Sequence, residues 1–167
     1  EIVSSGEIAN LSSDRIWSET DRALTSENPN IFFEVIIKYK MNSPFFNKLR
    51  VPICDTSSNN LVRWAELQVN NNFSLGDNLP VPNAQKNASD VLMRLIKITK
   101  EMSNESLINF LPKVNMERNQ SLISDLCSLP HLSDSKDLIS RLLSNTIEAD
   151  FSVLKNIPTE KIYEEKH

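Results

Sequence analysis

Glycine is nearly missing from this chain: Gly6 and Gly76 are the only two in 167 residues. Sandwiches, barrels and phosphate-cradling loops use glycine wherever the backbone must adopt positive φ. A glycine-rich nucleotide loop or a nucleophile elbow therefore has no residues to be built from. Helical proteins need glycine mainly just past helix C-termini, where asparagine can replace it. Asparagine is abundant and stands where helices are expected to end, as in "QVNNN" and "LLSNT". The composition points to an all-α fold.

Other shortages narrow the function. The net charge of −4 is the wrong sign for a general nucleic-acid or anionic-membrane binder. No apolar run approaches the length of a membrane span, and no signal-peptide pattern opens the chain. The first residue is Glu1, not methionine, which leaves room for a removed leader or a longer parent protein. Two cysteines, Cys54 and Cys127, are too few for a secreted disulfide framework. Asn-x-Ser sequons at Asn10, Asn72, Asn87, Asn104 and Asn119 are discounted, because a chain rich in both residues produces them by chance. An intracellular protein is expected, nuclear or cytoplasmic.

Histidine is equally scarce: His131 and the terminal His167. In "CSLPHLSD", Cys127 and His131 supply half a zinc site or a thiol–imidazole pair. Four-coordinate zinc needs more ligands, and only Cys54 or distant carboxylates remain. Both cysteines, including Cys54 beside Asp55 in "PICDT", are expected to pack as small apolar residues. The carboxylates are scattered and form no acid–base pair. The chain reads as non-enzymatic, with no metal, cofactor or small-molecule ligand.

What is present is helix. "SSDRIWSETDRALTSEN" offers a cap at Ser12 or Ser13 and an apolar stripe of Ile16, Ala23 and Leu24, with Pro29 ending it. "NIFFEVIIKYKM" alternates like a strand, but no second alternating run exists to pair with it, so residues 31–41 are read as helix. "NSPFFNKLRVP" suggests a short helix with Ser43 as cap and Pro44 at its first position. "NNLVRWAELQVNNN" is a clear helix with Leu61, Trp64, Ala65 and Gln68 on one stripe, flanked by Leu67 and Val62. Proline- and amide-rich residues 76–89 read as a linker between an N-terminal lobe, 1–75, and a C-terminal lobe, 90–158. Within the second lobe, helices are expected over about 90–102, 104–112, 116–128, 136–145 and 148–156. A charged tail, 159–167, follows.

"DVLMRLIKIT" from Asp90 is echoed by "DLISRLLSNT" from Asp137, and the apolar register holds from 90–110 to 137–157. The aliphatic-x-Arg signature also occurs in "LVRWA", residues 61–65. This spacing resembles the armadillo and HEAT families, whose hairpins stack because none can bury its apolar face alone. The resemblance covers residues 90–157 and touches 61–65. The short-helix glycine and the regular three-helix spacing of a typical armadillo unit are missing. It implies stacked helical hairpins, the alternative being an irregular helical bundle.

Such a fold implies a protein-interaction module, a scaffold subunit binding other protein subunits in a larger intracellular assembly. The candidate partner-binding residues are Trp17 and the basic, aromatic run Lys38, Lys40, Phe45, Phe46, Lys48 and Arg50. The same run is the candidate nucleic-acid contact, since cations track phosphates and aromatics stack on bases. Ser43, in Ser-Pro, is a candidate phosphorylation site. A secreted helical ligand or effector is the other alternative, and a Cys54–Cys127 disulfide would be its mark.

Overall fold

The computed structural model describes residues 11–98, 102, 106, 110 and 112–144. It is all-α, with no strand among the described residues. Helix α1 spans Ser13–Thr25, and the Ser12 hydroxyl caps it by accepting from the Arg15 N–H at 3.3 Å. Helix α2 spans Pro29–Lys38, so the alternating segment is helical, as expected. Its proline occupies the first position, where a missing N–H costs nothing. Helix α3 spans Asn60–Asn70 and is capped by the Asn59 side chain accepting from Leu61 N–H at 2.9 Å. Helix α4 spans Asn83–Leu95, α5 spans Gln120–Leu126, a 3-10 turn covers Pro130–Leu132, and residues 136–144, α6, are helical.

Helix α3 is the centre of the molecule: residues 62–68 are all buried. It packs on α1, α4 and α5. Trp64 and Leu67 face an N-terminal cluster with Trp17, Leu24, Phe33, Phe46 and Leu49. Val62 and Ala65 face the other way, into a C-terminal cluster with Leu92, Leu95, Ile123, Leu126 and Ile139. One helix thus serves as a wall for both clusters.

Several expectations are corrected. Residues 76–89 are not a linker: Leu75, Leu79 and Val81 are buried in the same cluster as Trp64, and α4 has already begun at Asn83. The amide-rich composition hid two helical turns, because Asn83, Lys86 and Asn87 line the exposed face while Gln85, Ala88 and Ser89 are buried. Helix α4 also ends at Leu95, well before residue 102. Pro112 does not terminate helical geometry, which continues through residue 114, and α5 starts only at Gln120 after a turn.

The segment after Pro44 is a series of turns and not a short helix, so Ser43 caps nothing. Amide side chains hold it in place of a helical ladder. Asn71 accepts from the backbone N–H groups of Arg50 and Val51 at 2.7 and 3.0 Å and donates to the Val51 carbonyl at 2.8 Å. Asn42 donates to the Leu49 carbonyl at 3.4 Å.

The two halves of the 47-residue echo enter their helices differently. Asp90 lies deep inside α4, which starts at Asn83, whereas Asp137 is the second helical residue after 135. The remainder of the echo, including most of 99–111 and all of 145–157, lies outside the described residues. So do the helix expected at 148–156 and the tail at 159–167.

Candidate functional site

The predicted basic and aromatic run is the natural place to begin. Lys38 and Lys40 are exposed, and the Lys38 ammonium lies 5.6 Å from the centre of the Tyr39 ring. Lys40 adopts φ of +56°, a left-handed turn that ends α2 and redirects the chain. Lys48 pairs with Asp77 at 3.1 Å on the exposed surface. Arg50 turns its guanidinium back onto its own loop, donating to the Asn47 and Leu49 carbonyls at 2.7 and 2.9 Å. Phe46 is buried, 2% exposed, and Phe45 is half-buried in an apolar groove with Ile16, Phe32, Ile36 and Met41. The structure therefore does not gather this run into one basic face. Only Lys38 and Lys40 are adjacent cations without an ion pair among those described.

Trp17 is corrected more firmly. Its indole is buried and packs edge-on against Trp64, ring centres 5.2 Å apart at 86°. An edge-to-face pair of this kind adds about 0.5–1.5 kcal/mol to the burial itself. Trp17 is a core residue and offers no surface to a partner. Ser43 is exposed and lies in a turn, not at the start of a helix.

Of the buried polar groups of α3, only Gln68 was placed on the stripe from the sequence; Arg63 and Glu66 were not foreseen as buried. Arg63, 7% exposed, donates through Nη1 to the Leu24 and Ser26 carbonyls at 2.6 and 2.7 Å, and through Nε to Ser57 at 2.5 Å. These carbonyls lie at the C-terminal end of α1 and in the loop before α3. A cation there also meets the negative end of the α1 dipole. Glu66, 2% exposed, accepts from both the backbone N–H and the hydroxyl of Thr56. Gln68 bridges to Leu75 through both ends of its amide, at 2.8 and 3.1 Å. One turn later, Asn71 braces the 49–51 strand of chain, as above. The signal was an arginine and a glutamate inside an otherwise apolar helix, since such groups are buried only when partnered.

The cysteines sit apart, Cys54 in the N-terminal cluster and Cys127 in the C-terminal one, and both are free thiols. Burial pushes the Cys54 thiol up to about 12, helped by Glu66 and opposed by Arg63. Burial also raises Cys127, with Lys136 pulling the other way. Neither is poised as a nucleophile, which would need a lowered pKa. His131 is exposed and engages the Asn70 side chain at 3.1 Å. Among the described residues, no three His, Cys, Asp or Glu side chains cluster as a metal site.

A cleft of about 390 Å³ opens between the 73–81 loop and α4. Trp64, Leu75 and Val81 form its floor, and Asp77, Lys86 and Asp90 lie on its rim. The rim charges are of mixed sign and do not converge on a point. No helix among the described residues is long and apolar enough to cross a membrane.

No family model matches this chain, and no solved structure matches it. It is similar to the Multifunctional CCA protein of Haemophilus influenzae (strain PittGG), 39% identical over 49 residues, which is 29% of this chain and 12% of that protein. It is likewise similar to the Multifunctional CCA protein of Shewanella frigidimarina (strain NCIMB 400), 44% identical over 36 residues, 22% of this chain and 9% of that protein. The matched stretches thus span about a tenth of the length of these relatives.

Proposed function

We propose that this chain works by contact and not by chemistry, as a helical interaction module within a larger assembly of the multifunctional CCA kind. The observation that carries this reading is the use made of the polar residues on α3 and at its C-terminal cap. Arg63, Glu66, Gln68 and Asn71 are buried and tied to backbone or hydroxyl groups of neighbouring loops. They brace a body that holds surfaces in place, whereas a reaction centre needs such groups facing a substrate. The similarity to a small fraction of a much longer protein supports the same view. The free and separated cysteines remove the disulfide that would have favoured a secreted ligand. The test is affinity capture of the tagged chain from its native cells, washed at moderate salt. Protein partners recovered in stoichiometric amount are expected, and a chain recovered alone would overturn the proposal.

A second reading is favoured by the relatives' name, which refers to the nucleotide triplet CCA. Lys38 and Lys40, beside Tyr39, are the exposed cations suited to a phosphate backbone. This reading expects the chain to bind single-stranded RNA ending in CCA. Fluorescence anisotropy should show affinity falling steeply with salt, and falling at least about fivefold in a K38E/K40E variant. Binding indifferent to both changes would refute it.

A further inference from the structure

Four large apolar side chains are exposed among the described residues: Ile31 (58%), Val35 (40%), Tyr39 (51%) and Ile53 (48%). They are not scattered. Ile31 and Val35 on α2 and Tyr39 at its C-cap recur every fourth residue, so they form one row on its outer face. Ile53 lies in the loop whose Cys54 N–H donates to the Asn30 side chain at 2.8 Å, near the start of α2. Isolated apolar residues on a surface need no explanation, but a contiguous row marks an interface.

The charges beside the row say what covers it. Glu34 and Lys38, both exposed, precede Val35 and Tyr39 by one residue and so line the same edge of the stripe. When two copies of α2 pack antiparallel, like edges face each other in reversed order. Glu34 of each copy then meets Lys38 of the other, twice over. That pairing puts the two-fold axis level with residue 36, so Val35 packs beside its own copy close to the axis, with Ile31 and Tyr39 on either side. Parallel packing sets the charged edge against the Phe32 edge and leaves both charges without partners.

We propose that the outer face of α2 is a self-complementary, two-fold interface through which this chain pairs with a second copy of itself. The inference is independent of the interaction-module reading, since it concerns this chain alone. A ten-residue helix is about 15 Å long, so the contact is smaller than the roughly 800 Å² per partner of a standard interface. The dimer is accordingly weak and reversible.

Sedimentation equilibrium of the 167-residue chain, from about 10 µM to about 1 mM, tests it. The mass should rise from 19.0 kDa towards twice that value. Val35→Lys, which sets two like charges side by side near the axis, should weaken pairing at least about tenfold. Glu34→Lys and Lys38→Glu should each weaken it about fivefold, and the double exchange should restore it to within about twofold. All of these positions are exposed, so circular dichroism should show unchanged folding. A chain that stays at monomer mass throughout overturns the proposal. So does a dimer indifferent to Val35→Lys, or a double exchange no better than the single ones.

Discussion

Arginine 63 provides the most demanding test of how this fold is held together. Its guanidinium is the only link from α3 to the end of α1 that is both charged and buried among the described residues, through Leu24, Ser26 and Ser57. In Arg63→Met the aliphatic stem and most of the volume survive, and the donors vanish. Water can replace them at Ser26 and Ser57, where the bonds are part-buried, but the Leu24 bond is fully buried. Stranding that one carbonyl costs about 1–3 kcal/mol, and loss of the two partly wet charged bonds adds about 1–2 kcal/mol. Methionine recovers some of this, because no charge then has to be desolvated. The expected net loss is about 2–4 kcal/mol, a large fraction of a typical domain stability of about 5–15 kcal/mol. Urea unfolding followed by circular dichroism should show a lower midpoint at an unchanged slope. Arg63→Lys, which keeps the charge but reaches fewer carbonyls, should fall between the two. If Arg63→Met stays within about 0.5 kcal/mol of the parent, the guanidinium contributes no more than it cost to bury, and the clamp argument fails.

Two further outcomes follow from single residues. Gly76 sits at φ +94°, and a Cβ there would lie 2.9 Å from Val81 Cγ2 and 3.4 Å from the Trp64 ring. Gly76→Ala should therefore lower stability by about 1–3 kcal/mol, read by the same unfolding assay, and an equal or higher midpoint would contradict the packing described. The Cys54 thiol, held at about 12 by burial, should resist a thiol reagent at pH 8 until the protein is unfolded. Its folded pKa exceeds the unfolded value of 9.0, so its contribution is intact below pH 9 and is lost as pH rises from 9 towards 12. Three pKa units correspond to a loss on the order of 4 kcal/mol, absent in Cys54→Ala, and equal alkaline sensitivity of both proteins would refute the assignment.

Composition and periodicity determined the helical class. Two glycines could not furnish the turns of a β fold, and "SSDRIWSETDRALTSEN" and "NNLVRWAELQVNNN" located α1 and α3, although α1 ends at Thr25 and Pro29 opens the next helix and does not end this one. The Ser12 cap was readable because it acts on a neighbour three residues away, whereas the cap expected at Ser43 begins no helix and the Asn59 cap of α3 was not foreseen. The tertiary structure alone decided what depends on distant partners. Trp17 is core because Trp64, far along the chain, meets its ring. The loop at 76–81 is core because Leu75, Leu79 and Val81 meet Trp64. The basic run from Lys38 to Arg50 disperses because Asp77 draws off Lys48 and local carbonyls draw off Arg50. Arg63 looked like one letter of a repeated signature until α1 placed its terminal carbonyls within hydrogen-bonding distance. A side chain's chemistry is written in its own residue, but whether that chemistry faces water, a partner or the chain itself is set by contacts between segments far apart in sequence.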